Sequence, residues 1–166
     1  KFPKAKTYVD WRKMVDQKDL DAVVCSTPDH HHALISNWAL LRDLHVYCEK
    51  PLAHNVHEAR AVQNTYKARR DKVATQMGTQ IHAGGNYRRV VELIRAKAIG
   101  EVREAHAWCG RKGPGGGLPQ GEQTCPPHIH WDLWLGPAPF RPYNTRYLPG
   151  NLTWNRWWDF GNGTLG

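Results

Sequence analysis

Apolar positions in the first half of the chain follow two alternating periods. Residues 6–10 read as a short strand, after which Asp10 can cap a helix to about Gln17 with Trp11, Met14 and Val15 on its inner face. Residues 21–27 form a nearly continuous apolar run closed by Pro28, the pattern of a parallel strand buried on both faces. Pro28 and Asp29 then open a helix in which Ala33, Leu34, Trp38 and Leu41 recur at helical spacing. Residues 45–48 make the next strand, residues 56–70 a helix with Ala59, Val62, Gln63 and Tyr66 on one side, and residues 73–78 a third strand. Such alternation builds a parallel sheet with right-handed crossovers. A further helix spans about 86–97 and carries Val90, Val91, Leu93 and Ile94, with Gly100 as a stop. Residues 101–108 alternate polar and apolar, as a strand with one solvated face does. No regular period follows from Gly110 onward.

Composition divides the chain at the same place. All 15 Gly lie from Gly78 onward, as do eight of the 11 Pro and five of the eight Trp beyond residue 113. A helix-rich first half therefore joins a loop-rich, aromatic second half. The chain has 166 residues, enough for one domain or parts of two, and no apolar run long enough to span a membrane. Its net charge is +8, but Lys67, Arg69, Arg70 and Lys72 form the one dense basic group, at a helix end where cations suit the dipole. No nucleic-acid-binding motif accompanies them, so neither nucleic acid nor a membrane is expected as a partner. Cys25 and Cys48 fall inside apolar strands and read as small buried hydrophobes, while Cys109 and Cys125 complete no metal-type pair. Nothing in this pattern fixes the compartment, cytoplasm or bacterial periplasm.

Ligands of open parallel sheets bind at the carboxyl ends of the strands. Polar groups collect there: Thr27-Pro28-Asp29-His30-His31-His32 after the first strand, Glu49-Lys50-Pro51 after the second, and Gln76-Met77-Gly78-Thr79-Gln80 at the third. Lys50, between Glu49 and a rigidifying proline, can orient a substrate hydroxyl and exchange a proton with it. Adjacent histidines at a helix start point in different directions, so the His30-His31-His32 run is not expected to hold one metal ion. The Cys125, His128 and His130 grouping lacks the two spaced pairs of a structural zinc site, and no metal is expected there either. The glycines of 113–117 lead into no helix and read as a loop rather than a phosphate cradle. Trp154, Trp157 and Trp158 suit either sugar stacking or a core plug.

Thr27-Pro28-Asp29-His30-His31-His32-Ala33 followed by Val46-Tyr47-Cys48-Glu49-Lys50-Pro51-Leu52 resembles the TPxxxHA and EKPL strand ends of the Gfo/Idh/MocA family of NAD(P)-dependent oxidoreductases. The segments 76–80, 86–89, 99–102, 131–139 and 157–166 continue the likeness. It implies an α/β chain: part of a Rossmann-type doubly wound parallel sheet over 1–82, then the start of an α+β substrate and oligomerisation domain over 83–166. It also implies hydride transfer between NAD or NADP and a sugar, inositol or related polyol, by a protein that assembles as a homo-oligomer. Thr27, Pro28, Asp29, His32, Glu49, Lys50 and Gln80 match cofactor-lining positions, Lys50 also the catalytic one, and Tyr87 and Trp157 fall near the substrate. The family's glycine-rich phosphate loop and catalytic histidine segment match nothing in these residues, so an internal piece of a longer enzyme is expected. The family also includes NAD-dependent glycoside hydrolases and non-catalytic carbohydrate-binding relatives, which the same motifs admit.

Overall fold

A computed structural model describes residues 2–108, 117–148, 150 and 152–163. Cys109, Gly110, the glycines at 113, 115 and 116, and Thr164-Leu165-Gly166 lie outside the described residues.

Asp10 adopts extended backbone and its carboxylate accepts the Arg12 N–H at 2.9 Å, which starts helix α1 (Trp11–Val15). Val15 is buried, with Trp11 and Met14 packed against the same core. The expected strand at 6–10 does not form: among the described residues these join no ladder, and the sheet consists of three strands further along the chain.

Three parallel strands follow in the order β1 (Ala22–Cys25), β2 (His45–Glu49) and β3 (Thr75–Gly78). Val23 pairs with Val46 and Cys25 with Cys48, while Val46 pairs with Thr75 and Glu49 with Gly78. Helices α2 (Asp29–Leu40) and α3 (Val56–Arg69) make the crossovers. Asn55 caps α3 by accepting the Glu58 N–H at 2.9 Å, and Glu58 reaches back to the His54 N–H at 2.8 Å.

Strand β1 is buried on one face only: Val23 and Cys25 are inside, while Val24 is 69% exposed. The expectation of two covered faces fails because, among the described residues, α2 packs on one side and nothing covers the other. Leu34 and Leu41 of the α2 pattern likewise face out, and Ile35, Ala39 and Leu40 form the inner face. Helix α3 stands off the sheet around an apolar cavity of about 340 Å³ lined by Val62, Tyr66, Val46, Cys48 and Met77.

Beyond β3, a single 3-10 turn (Gln80–Ala83) leads into α4 (Gly85–Arg95), whose Val90, Val91, Leu93 and Ile94 are all exposed. The chain turns off through Lys97 and Gly100, both at positive φ. Residues 101–108 join no ladder among the described residues, contrary to their alternating pattern. The aperiodic second half does contain short elements: α5 (Trp131–Leu135) and 3-10 turns at Thr145–Tyr147 and Thr153–Arg156. They surround an aromatic core of Trp131, Tyr143, Tyr147, Trp157 and Phe160 with Leu135. Among the described residues no helix is long and apolar enough to cross a membrane.

Candidate functional site

The ends of β1, β2 and β3 share one rim of the sheet, because in-register parallel strands finish on the same side. After β1, Thr27 and Pro28 turn the chain into α2, with extended backbone at Pro28. Thr27 Oγ1 lies 3.4 Å from Cys25 Sγ. Asp29 begins the helix, where a carboxylate suits the positive end of the dipole. It is 5% exposed, and burial raises its pKa; the Asn162 N–H, His32, Lys50 and His54 act in the opposite sense. Lys50 therefore acts on Asp29 across the gap between two strand ends.

Glu49 closes β2. Its Oε1 accepts from Gln80 Nε2 at 2.7 Å, joining the ends of β2 and β3. A Cβ at Gly78 would overlap the Glu49 carboxylate, so the glycine leaves the space in which that carboxylate rests. Lys50 is exposed at the rim, and its peptide to Pro51 is cis. Tyr87, at the start of α4, is 44% exposed and stacks on His82 with ring centroids 5.0 Å apart.

The three consecutive histidines are buried; His30 and His31 share one partner, against the expectation that all three diverge, and only His32 points elsewhere. His30 Nε2 and His31 Nε2 lie 3.0 and 2.8 Å from Trp134 O, and His30 Nδ1 lies 3.2 Å from Phe160 O. Burial, followed by repulsion from His31, pushes the His30 pKa down to about 4, against the pull of the two carbonyls. Burial lowers His31 as well. These two rings thus join α2 to the aromatic core. His32 turns the other way, to the carbonyls of Thr27 and Pro51. At 1% exposure it supports the rim from beneath.

Trp157, expected beside the substrate, is 8% exposed, and its ring packs at 71° to that of Tyr147 with centroids 4.9 Å apart, within the aromatic core. Trp158 is the exposed indole of the pair. Asn162 was not singled out from sequence, yet its backbone N–H donates to Asp29 Oδ2 at 3.1 Å and its side-chain amide faces Ala53 O at 3.5 Å. The Gly161-Asn162-Gly163 tripeptide lay within a segment resembling the family, but no local rule assigns a partner more than a hundred residues away.

Sequence spacing also gave no hint that Cys25, His32 and Cys48 cluster, with ligand atoms within 4.8 Å of one another. Both thiols are free and buried. Cys48 Sγ donates to Glu49 O at 3.3 Å, Cys25 meets Thr27, and both His32 nitrogens face carbonyls. A cation there would have to displace His32 from one of those carbonyls.

Residues 1–77 match a family model described as an oxidoreductase family with an NAD-binding Rossmann fold, and residues 105–166 match that family's C-terminal alpha/beta domain. Over 99 residues the chain is 38% identical to levoglucosan dehydrogenase of Pseudarthrobacter phenanthrenivorans, covering 56% of this chain and 23% of that protein. The crystal structure of myo-inositol 2-dehydrogenase from Lactobacillus plantarum matches with a TM-score of 0.55 at 25% identity, over 58% of this chain and 28% of that one. Scyllo-inositol dehydrogenase from Lactobacillus casei, solved with bound NAD(H) and scyllo-inositol, matches with a TM-score of 0.52 at 26% identity, over 55% and 27%. The chain spans about a quarter of the length of these relatives.

Proposed function

The chain belongs to the Gfo/Idh/MocA oxidoreductase family, whose NAD-binding and C-terminal models it matches in order, and from that premise we propose that the whole protein is an NAD-dependent dehydrogenase of a sugar, inositol or related polyol. The observation that carries this reading is the rim itself: Thr27, Asp29, Glu49, Lys50 and Gln80 stand at three adjacent strand ends, with Glu49 tied to Gln80 and Asp29 to Asn162.

The donor set suits a nicotinamide nucleotide. A carboxylate at Glu49 can accept from ribose hydroxyls, Thr27 and Gln80 supply neutral hydrogen-bonding groups, and Gly78 leaves room for the carboxylate. Thr27, Pro28, Asp29, Glu49, Lys50 and Gln80 would border the cofactor, with Asp29 and the buried His32 acting through the loops they hold. When bound, the nicotinamide supplies a hydride acceptor. Lys50 would orient the reacting hydroxyl and take up its proton as the hydride leaves the carbon for the bound nicotinamide, so that a carbonyl forms. In the reverse direction its ammonium stabilises the negative charge that grows on the carbonyl oxygen and returns the proton. Tyr87 would border the substrate. The division at 82/83 falls in the stretch between the two matched regions, and the whole protein would assemble as a homo-oligomer, which sedimentation would test.

The test is Lys50→Ala in the whole protein, assayed for reduced nicotinamide with an inositol and anhydrosugar panel. Turnover should fall by more than about tenfold with the fold retained by circular dichroism. Wild-type kinetics would remove Lys50 from the chemistry. Cleavage of an aryl glycoside without net reduction of the cofactor would instead assign the glycosidase branch of the family.

A further inference from the structure

The β1–β2 ladder stops at the Cys25 and Cys48 pair and the residue after it. Beyond that point the two segments that carry Thr27 and Lys50 share no backbone–backbone hydrogen bond among the described residues. Pro51 has no N–H with which to extend the ladder. Yet the mechanism proposed above needs Lys50 at a fixed distance from the Thr27 and Asp29 loop, since small errors in position carry large losses in rate.

His32 fills this gap. Its Nε2 lies 2.6 Å from Thr27 O and its Nδ1 lies 2.6 Å from Pro51 O, so the ring is in close contact with both loops. An imidazole presents its two nitrogens on opposite edges of a rigid ring, so one side chain reaches both loops with few torsions to fix. A neutral ring donates to one of the two carbonyls, according to its tautomer. The ring is anchored from α2 rather than from either loop, and at 1% exposure water does not compete for its partners.

We propose that His32 is a positioning residue for Lys50: seated from α2 between the Thr27 and Pro51 carbonyls, its ring donates to one of them and sets the distance to the other, and so fixes the loop one residue beyond Lys50 against the neighbouring strand end. Its contribution is made from below the rim, through the loops. This inference rests on the reading of Lys50 as the residue that orients the substrate hydroxyl.

The experiment compares His32→Leu, which has no donor, with His32→Gln, whose amide NH2 keeps donor capacity at similar reach, in the whole protein. His32→Leu should lower kcat by more than about tenfold while KM for NAD changes by less than about threefold, and His32→Gln should recover part of the loss. With C–H-deuterated substrate, the isotope effect on kcat should rise in His32→Leu, because a displaced Lys50 makes hydride transfer limiting. A residue that merely filled space would show neither the split nor the partial rescue. Wild-type kcat in folded His32→Leu, or equal losses in kcat and in NAD binding, would overturn the proposal. If His32→Leu does not fold, His32→Gln decides alone: a raised isotope effect supports positioning, and an unchanged one refutes it. An impaired Lys50→Ala beside an unimpaired His32→Leu sinks the positioning role only, whereas an unimpaired Lys50→Ala sinks the underlying reading.

Discussion

The two cores of this chain hold themselves together in different ways. The first is aliphatic and periodic: Val23, Val46, Ile35 and Leu40 come from strands and a helix that pair by a regular ladder. The second is aromatic and aperiodic. Trp131 stacks on Trp134 at 4.8 Å within the short helix α5, and Phe160 meets Trp134, Tyr147 and, from α2, His30 at 4.7, 5.4 and 5.3 Å. A ladder tolerates substitution inside it because backbone bonds carry its geometry. A ring cluster without a ladder depends on each ring's shape and angle. The rim lies between the two and takes groups from both, Asp29 from one and Asn162 from the other.

Breaking the second core should have the largest effect. Phe160 is fully buried, and Phe160→Ala should destabilise by about 3–5 kcal/mol, read by chemical denaturation, with loss of the near-ultraviolet aromatic signal. Leu40→Ala in the first core should also destabilise, by about 2–5 kcal/mol, but leave that signal in place. If both variants lost it equally, the two cores would be one cooperative unit with no distinction between them.

Acid should act next, at the seam. The folded protein keeps His30 neutral, with its pKa pushed from 6.5 down to about 4 by burial, while the unfolded chain takes up a proton below 6.5. Stability is thus complete above that pH and is lost as pH falls towards about 4, by about 3 kcal/mol over the window. Denaturation midpoints for His30→Asn should show a flatter acid slope, with a residual part from His31, which is lowered in the same sense.

Two glycines then separate scaffold from site. Gly136 has φ of +50° and a Cβ there would overlap the His31 ring, so Gly136→Ala should cost about 1–3 kcal/mol by thermal or chemical melting. Gly78→Ala meets only the end of the flexible Glu49 side chain, so its stability should change by less than about 1 kcal/mol. It should instead weaken NAD binding by titration, because Glu49 must leave its place beside Gln80. Equal melting losses in the two variants would contradict that assignment.

Much of the first core was legible in sequence because it is local. The Asp10 cap, the three strands and the turn points at Pro28 and Pro51 each follow from a few neighbouring residues. The rim was legible too, since strand ends in a parallel sheet share an edge. Burial was less so: Val24 looks as apolar as Val23, and only the placement of α2 tells which side is covered. Residues 101–108 carry a strand pattern, but pairing needs a partner that the pattern does not supply. The aromatic core was unreadable because turns of three or four residues have no period, and Trp157 could serve a sugar or a core equally well. His32 and Asn162 act across 19 and 133 residues, on Pro51 and Asp29, where spacing carries no information.

Hydride transfer at the rim can be observed directly by incubating the whole protein with NAD and a polyol deuterated at its carbinol carbons. Deuterium should appear at C4 of the reduced nicotinamide in wild type, and its rate of appearance should drop by more than about tenfold in Lys50→Ala. Turnover of polyol with no deuterium reaching the nicotinamide, or transfer at an undiminished rate in that variant, would contradict the account.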